Sequence, residues 1–368
     1  MPQLFDPISV GGLELSNRIV IPPMCQYSAS DGVATEWHRI HVGSLALSGA
    51  GLFIMEATAV APEGRITPDC LGLWRDDQGE ALGSVVGAVK AYSGIRLGIQ
   101  LSHAGRKAGS HSPRTGQSGP LGPDEAWPTI APSAVPVSPR WPTPAPMTEA
   151  DMERVIAQHV DAAARAVSAG FELIELHGAH GYLLSSFLSP LVNRRTDAYG
   201  GSYDARARFP LRVFEAVRSS VAREVAVGVR LNGTDWADGG ITPEEACRFA
   251  MDLEARGADY VHISSGGNVR GEIPLGPGYQ IPPAELIRSH VSIPVIGVGL
   301  INDPRLANDL VGRGAVDLVG IGRGHLHHPH WAWDAAEALG QTIAVPYQYS
   351  RARLSTFEPP KSWSHLAR

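Results

Sequence analysis

The sequence predicts an α/β fold, a (β/α)8 TIM barrel, on three observations. Eight short apolar runs recur along the 368 residues, each ending in Gly, Pro or polar residues and each followed by a longer segment of helical period. The runs are continuous rather than alternating, which is the pattern of parallel strands buried on both faces. No G-x-G-x-x-G follows the first run, where an open doubly wound sheet of about five or six strands would carry one.

The runs are Arg18–Ile21, Leu52–Ala57, Leu97–His103, Leu173–His177, Val225–Leu231, Tyr260–Ser264, Pro294–Gly299 and Leu318–Gly322. Helices are predicted over Thr148–Ala169, Asp204–Arg223, Thr242–Arg256 and Pro304–Arg313. Thr148 is placed to cap the first of these, with Glu149 to Glu153 bringing acid to the positive end of its dipole.

A barrel of this kind takes about 250 residues, so roughly a hundred are decoration on a single domain spanning 1–368. Ile8–Val10 and Leu13–Leu15 flank Gly11-Gly12 and read as an N-terminal hairpin that plugs the barrel bottom. Residues 108–147, rich in Pro, Gly and Ser, are too long for an ordinary loop and read as a lid insertion after the third strand. Residues 341–368 follow the eighth unit as a C-terminal extension.

With 43% hydrophobic and 18% charged residues the chain buries a large core. Its formal charge of −6 argues against nucleic acid or an anionic membrane as the main partner and favours a small molecule. Only Cys25, Cys70 and Cys247 occur, too few and too scattered for a disulfide framework or a metal cluster, which fits the reducing cytoplasm. No basic-then-apolar leader opens the sequence, and no apolar run reaches the roughly 18 residues of a membrane span.

The strongest local signal is Leu176 to Tyr182, which puts His177, His180 and Tyr182 at the end of the fourth strand, where barrels hold their chemistry. A polar strand end or a metal pair is one reading, although no third ligand lies nearby. Two neutral imidazoles donating to one carbonyl oxygen, with the Tyr182 hydroxyl as proton donor, is the other.

Gly299 after the seventh strand and Gly322-Arg323 after the eighth lie where barrels bind phosphate, through close backbone N–H groups and a guanidinium clamp. Pro22-Pro23-Met24-Cys25-Gln26-Tyr27 follows the first strand. Cys25 and Met24 there are either packing or cofactor contacts, and Tyr27 could wall a substrate pocket. Gln100, Lys107 and Arg230 are polar groups in or beside apolar runs, so they need carboxylate partners or an anionic ligand such as a reduced flavin.

Together, Asn17 to Cys25, Glu56 to Val60, Gln100 to Lys107, His177 to Tyr182, Phe187 to Pro190, Asn193 to Ser202 and Gly320 to Arg323 resemble the Old Yellow Enzyme family. The likeness is to its thermophilic-like ene-reductase and xenobiotic reductase branch, because Cys25 replaces the Thr of the yeast-type enzymes. It implies a tightly bound, non-covalent FMN across the barrel mouth. Pro22, Pro23, Met24, Cys25, Ala57, Gln100, Lys107 and Arg230 would surround the ring, with Gly299, Gly322 and Arg323 on the phosphate.

It further implies NADPH or NADH as hydride donor and activated alkenes as acceptors, α,β-unsaturated carbonyl or nitro compounds. His177 and His180 would bind the acceptor carbonyl, Tyr182 would protonate carbon, and Tyr27 would line the substrate site. Arg351 matches an arginine that the branch inserts into a neighbouring subunit, implying a homodimer or homotetramer. The chain runs on past that arginine through Phe357, Trp363 and His365.

Overall fold

All eight apolar runs form parallel strands, and hydrogen bonds join them in chain order into a closed barrel. The computed structural model describes residues 3–352. The barrel strands are Ile19–Ile21, Leu52–Ala59, Arg96–Ser102, Leu173–Gly178, Ala226–Asn232, Tyr260–Ser264, Val295–Gly297 and Leu318–Gly320. Every residue of the second, fourth and fifth is buried, as the continuous apolar runs require.

The helices cover the outside. Glu149–Ser168 is capped by Thr148, whose hydroxyl accepts from the Asp151 N–H at 3.2 Å. Met152, Val155, His159, Ala162, Ala163 and Ala166 recur at the three-to-four spacing that turns one stripe onto the barrel. Burying such apolar side chains contributes about 1.5–3 kcal/mol for each large one, and outward-facing strand residues share that core with the helices.

The hairpin forms as expected, Ile8–Val10 pairing antiparallel with Leu13–Leu15. Val10, Leu13 and Leu15 pack with Val20, Leu52, Ile54, Leu173, Tyr260 and Ile296 in a second apolar cluster inside the barrel, closing its lower end.

Two strands are shorter than the sequence suggests. The seventh ends at Gly297 and the eighth at Gly320, so Val298-Gly299 and Ile321-Gly322 leave the ladder and line a cavity. The second is longer, running to Ala59 across a bulge at Glu56. Bulges re-aim side chains next to functional sites, and this one sends Glu56 to the Gln26 N–H, 2.8 Å away.

The insertion at 108–147 contains a two-residue parallel pair, Ile130–Ala131 with Ala145–Pro146. Arg195 Nη1 joins the residues just after these two strands by donating to Pro132 O and Met147 O. Arg106 Nη1 donates to Val135 O and Pro136 O, and its Nη2 to Asn268 O after the sixth strand. After Gln341 the chain passes the helix Glu36–Ala46, and Tyr349 packs on Trp333 and His330 with centroids 6.0 Å apart. Phe357, Trp363 and His365 lie outside the described residues. Among those described, no helix is long and apolar enough to cross a membrane.

Candidate active site

The upper end of the fourth strand gathers the expected histidines and tyrosine. His177 is the penultimate strand residue, and the chain then turns through His180 at φ +61. Gly181 has φ +73, and a Cβ there would lie 2.1 Å from Gly267 O. Only glycine permits this close pass between the loops after the fourth and sixth strands.

The turn brings the rings together. His177 lies edge-on to His180 with centroids 5.0 Å apart and to Tyr182 at 4.9 Å. The Ala179 N–H meets His177 Nδ1 at 3.3 Å, which leaves the ring proton on Nε2, 3.4 Å from His180 Nδ1. His180 Nε2 contacts Ser264 Oγ at 2.7 Å, and its backbone N–H donates to Asn232 Oδ1 at 3.0 Å. Lys107 Nζ donates to His180 O at 2.6 Å and lies 5.4 Å from the Tyr182 ring centre.

Burial, then the charge of Arg230, holds both imidazoles well below their ordinary range, so they are neutral at pH 7. Burial likewise pushes the Tyr182 phenol well above its usual value and keeps its proton in place. The Lys107 ammonium is lowered to about 8, by burial first and then by Arg106. Among the described residues no group of three His, Cys, Asp or Glu side chains gathers as a metal site.

Pro22, Pro23, Met24, Arg230, Gly299, Gly322 and Arg323 line one cavity of about 290 Å³ beside this cluster. Gly299 sits at φ +131, where a side chain would be strained. Arg230 is buried and its Nε has no partner. Ala57 and Gln100 are paired across the second and third strands. Cys25 keeps its proton, since burial, followed by Cys70 and Glu56, raises its thiol well above normal. Tyr27 follows at φ +50, its phenol also raised by burial.

The family model for NADH:flavin oxidoreductase / NADH oxidase matches residues 3–341. The chain belongs to this family, that of Old Yellow Enzyme. The NADPH dehydrogenase of Geobacillus thermodenitrificans is 43% identical over 350 residues, covering 95% of this chain and 98% of that relative. The NADPH dehydrogenase of Listeria innocua is 41% identical over 354 residues, 96% of this chain and 99% of its own.

Among solved structures, morphinone reductase in complex with tetrahydroNAD superposes with a TM-score of 0.77 at 29% identity, over 94% of this chain and 93% of that one. A 2-naphthoyl-CoA reductase complex reaches 0.82 at 25%, over 92% of this chain and 52% of that chain. This Old Yellow Enzyme family member is therefore an NAD(P)H-dependent flavin oxidoreductase with FMN as cofactor.

Two features of the site escape the sequence reading. Gln100 Nε2 is engaged by Glu175 Oε1 at 2.7 Å, and Glu175 Oε2 meets His262 Nδ1 at 2.8 Å. Both are polar residues inside apolar strands, the signal that singled out Gln100 and Arg230. Arg351 stands apart from the cluster, exposed beyond Tyr349 on the outer face of the barrel.

Proposed function

We propose that this enzyme is an ene-reductase, reducing the C=C bond of α,β-unsaturated carbonyl or nitro compounds. The observation that carries the proposal is the pair of neutral imidazoles, His177 and His180, beside a fully protonated Tyr182.

The residues fit FMN. A buried guanidinium with an unpartnered Nε suits the electron-rich pyrimidine edge of the ring, and Gly299, Gly322 and Arg323 suit a phosphate. Pro22, Pro23, Met24, Cys25, Ala57, Gln100 and Lys107 complete the enclosure. FMN held there would supply the hydride transfer between NAD(P)H and the acceptor carbon.

The protein's own contribution is placement and protons. On binding, the His177 Nε2–H would leave His180 Nδ1 and the His180 Nε2–H would leave Ser264 Oγ to hold the acceptor oxygen and stabilise the negative charge that develops there. Oriented donors of this kind are worth a few kcal/mol each. Tyr182 delivers a proton to Cα. Tyr27 and the insertion at 108–147, acting as a lid, keep the acceptor stacked and dry. The nicotinamide occupies the same pocket in the other half of the cycle.

The chain is further read as a cytoplasmic homodimer or homotetramer in which Arg351 completes a neighbour's pocket. The test of the activity is anaerobic: NADPH should bleach the bound flavin and 2-cyclohexenone should restore its colour. Bleaching without recovery on any enone or nitroalkene would reject alkene reduction.

A further inference from the structure

Three polar side chains meet inside the barrel, one layer below the residues read as facing the flavin. Glu175 and His262 are fully buried and Gln100 nearly so. Strand register places them: Gln100 pairs with Glu175, while His177, two residues further along, pairs with Arg230, which pairs with His262. Residues two apart share a strand face, so Glu175 lies on the face of His177, one layer deeper.

A buried carboxylate costs several kcal/mol unless it is paired and hydrogen-bonded. Glu175 receives Gln100 Nε2 at 2.7 Å and His262 Nδ1 at 2.8 Å, with the Tyr260 hydroxyl 3.5 Å away. Arg230 forms no ion pair within the described structure, and Glu175 is the carboxylate whose charge acts on it. The Gln100 amide has one compatible orientation, because its flipped form would set oxygen against oxygen.

We propose that Glu175 is a positioning residue for the cofactor, turning the Gln100 carbonyl oxygen toward the flavin's ring N–H and offsetting the Arg230 charge so that the reduction potential stays low. Reduction adds negative charge at the pyrimidine edge, which Arg230 favours and Glu175 opposes. The inference rests on the flavin placement proposed above.

Glu175→Gln tests it in the holoenzyme. The variant amide can accept from Gln100 and donate to His262, whose tautomer switches, so both contacts of the carboxylate persist without its charge. The FMN midpoint potential should shift upward. Glu175→Asp keeps the charge but withdraws from Gln100; apoprotein titration should show several-fold weaker FMN binding, with the potential near wild type.

An unmoved potential in Glu175→Gln overturns the proposal, and so does an equal shift in both variants. Recovery of both only as unfolded chains also overturns it, by assigning Glu175 to stability alone. Arg230→Met separates the two levels. Full FMN content in that variant would sink the flavin placement, whereas FMN loss there with an unmoved Glu175→Gln potential would sink only the role of Glu175.

Discussion

Lys107 Nζ donates to the main-chain carbonyl of His180 at 2.6 Å, so a side chain from the loop after the third strand fixes the backbone of the loop after the fourth. His180 is held there at φ +61, a conformation that ordinary residues adopt only when their surroundings over-determine it. Lys107→Met should release that carbonyl and raise KM for enones several-fold, with less loss of FMN than Arg230→Met causes. Steady-state kinetics with 2-cyclohexenone decide it; an unchanged KM would show that the turn holds without the ammonium.

Tyr182→Phe should separate the halves of the cycle. Flavin reduction by NADPH needs no proton on carbon and should proceed nearly as in wild type. Enone reduction should slow by about 10² to 10⁴, the usual worth of a placed general acid. Nitroalkenes should suffer less, because their nitronate can leave and be protonated in water. Stopped-flow records of both half-reactions give the answer, and equal slowing of the two would make Tyr182 a positioning group instead.

Arg230→Met and Arg323→Met should each lower FMN occupancy after gel filtration, the first at the ring and the second at the phosphate. Absorbance ratios of purified variants measure this directly. Wild-type occupancy in both would reject the cofactor map.

Buried histidines should make the apoprotein sensitive to acid. Burial lowers His41, His159 and His325 from 6.5 to about 4. Between those values the unfolded chain binds protons that the folded chain refuses, so stability falls as pH drops through the window. Urea midpoints should decline steadily from pH 7 to pH 4, and His159→Gln should flatten the slope. A flat profile in the unsubstituted protein would contradict the neutral assignment.

Arg351→Ala should raise KM for substrate with FMN content unchanged, and light scattering should find a dimer or larger. An active monomer in dilute solution would refute both parts.

The barrel was legible because its strands are buried on both faces and carry an uninterrupted apolar signature, and the hairpin because Gly11-Gly12 punctuates it. The ends of the seventh and eighth strands were not. Val298 and Ile321 continue the apolar pattern although Gly299 and Gly322 have already turned the chain into the cavity wall. His177, His180 and Tyr182 were found because they stand together in sequence. Glu175 and His262 are separated by 87 residues and meet only through strand register, so no local pattern couples them. Arg106 was passed over because its three partners are backbone carbonyls, which leave no trace in residue identity.

That clamp has a consequence for altering substrate range. Arg106 is buried and binds two carbonyls of the insertion and one from the loop beyond the sixth strand. The two segments are thereby cross-braced through a single guanidinium, and neither can be exchanged as an independent module. A transplanted insertion must offer acceptors at the reach of Arg106, or it leaves a buried guanidinium short of partners against Asn268, in a stretch of chain that the transplant never included.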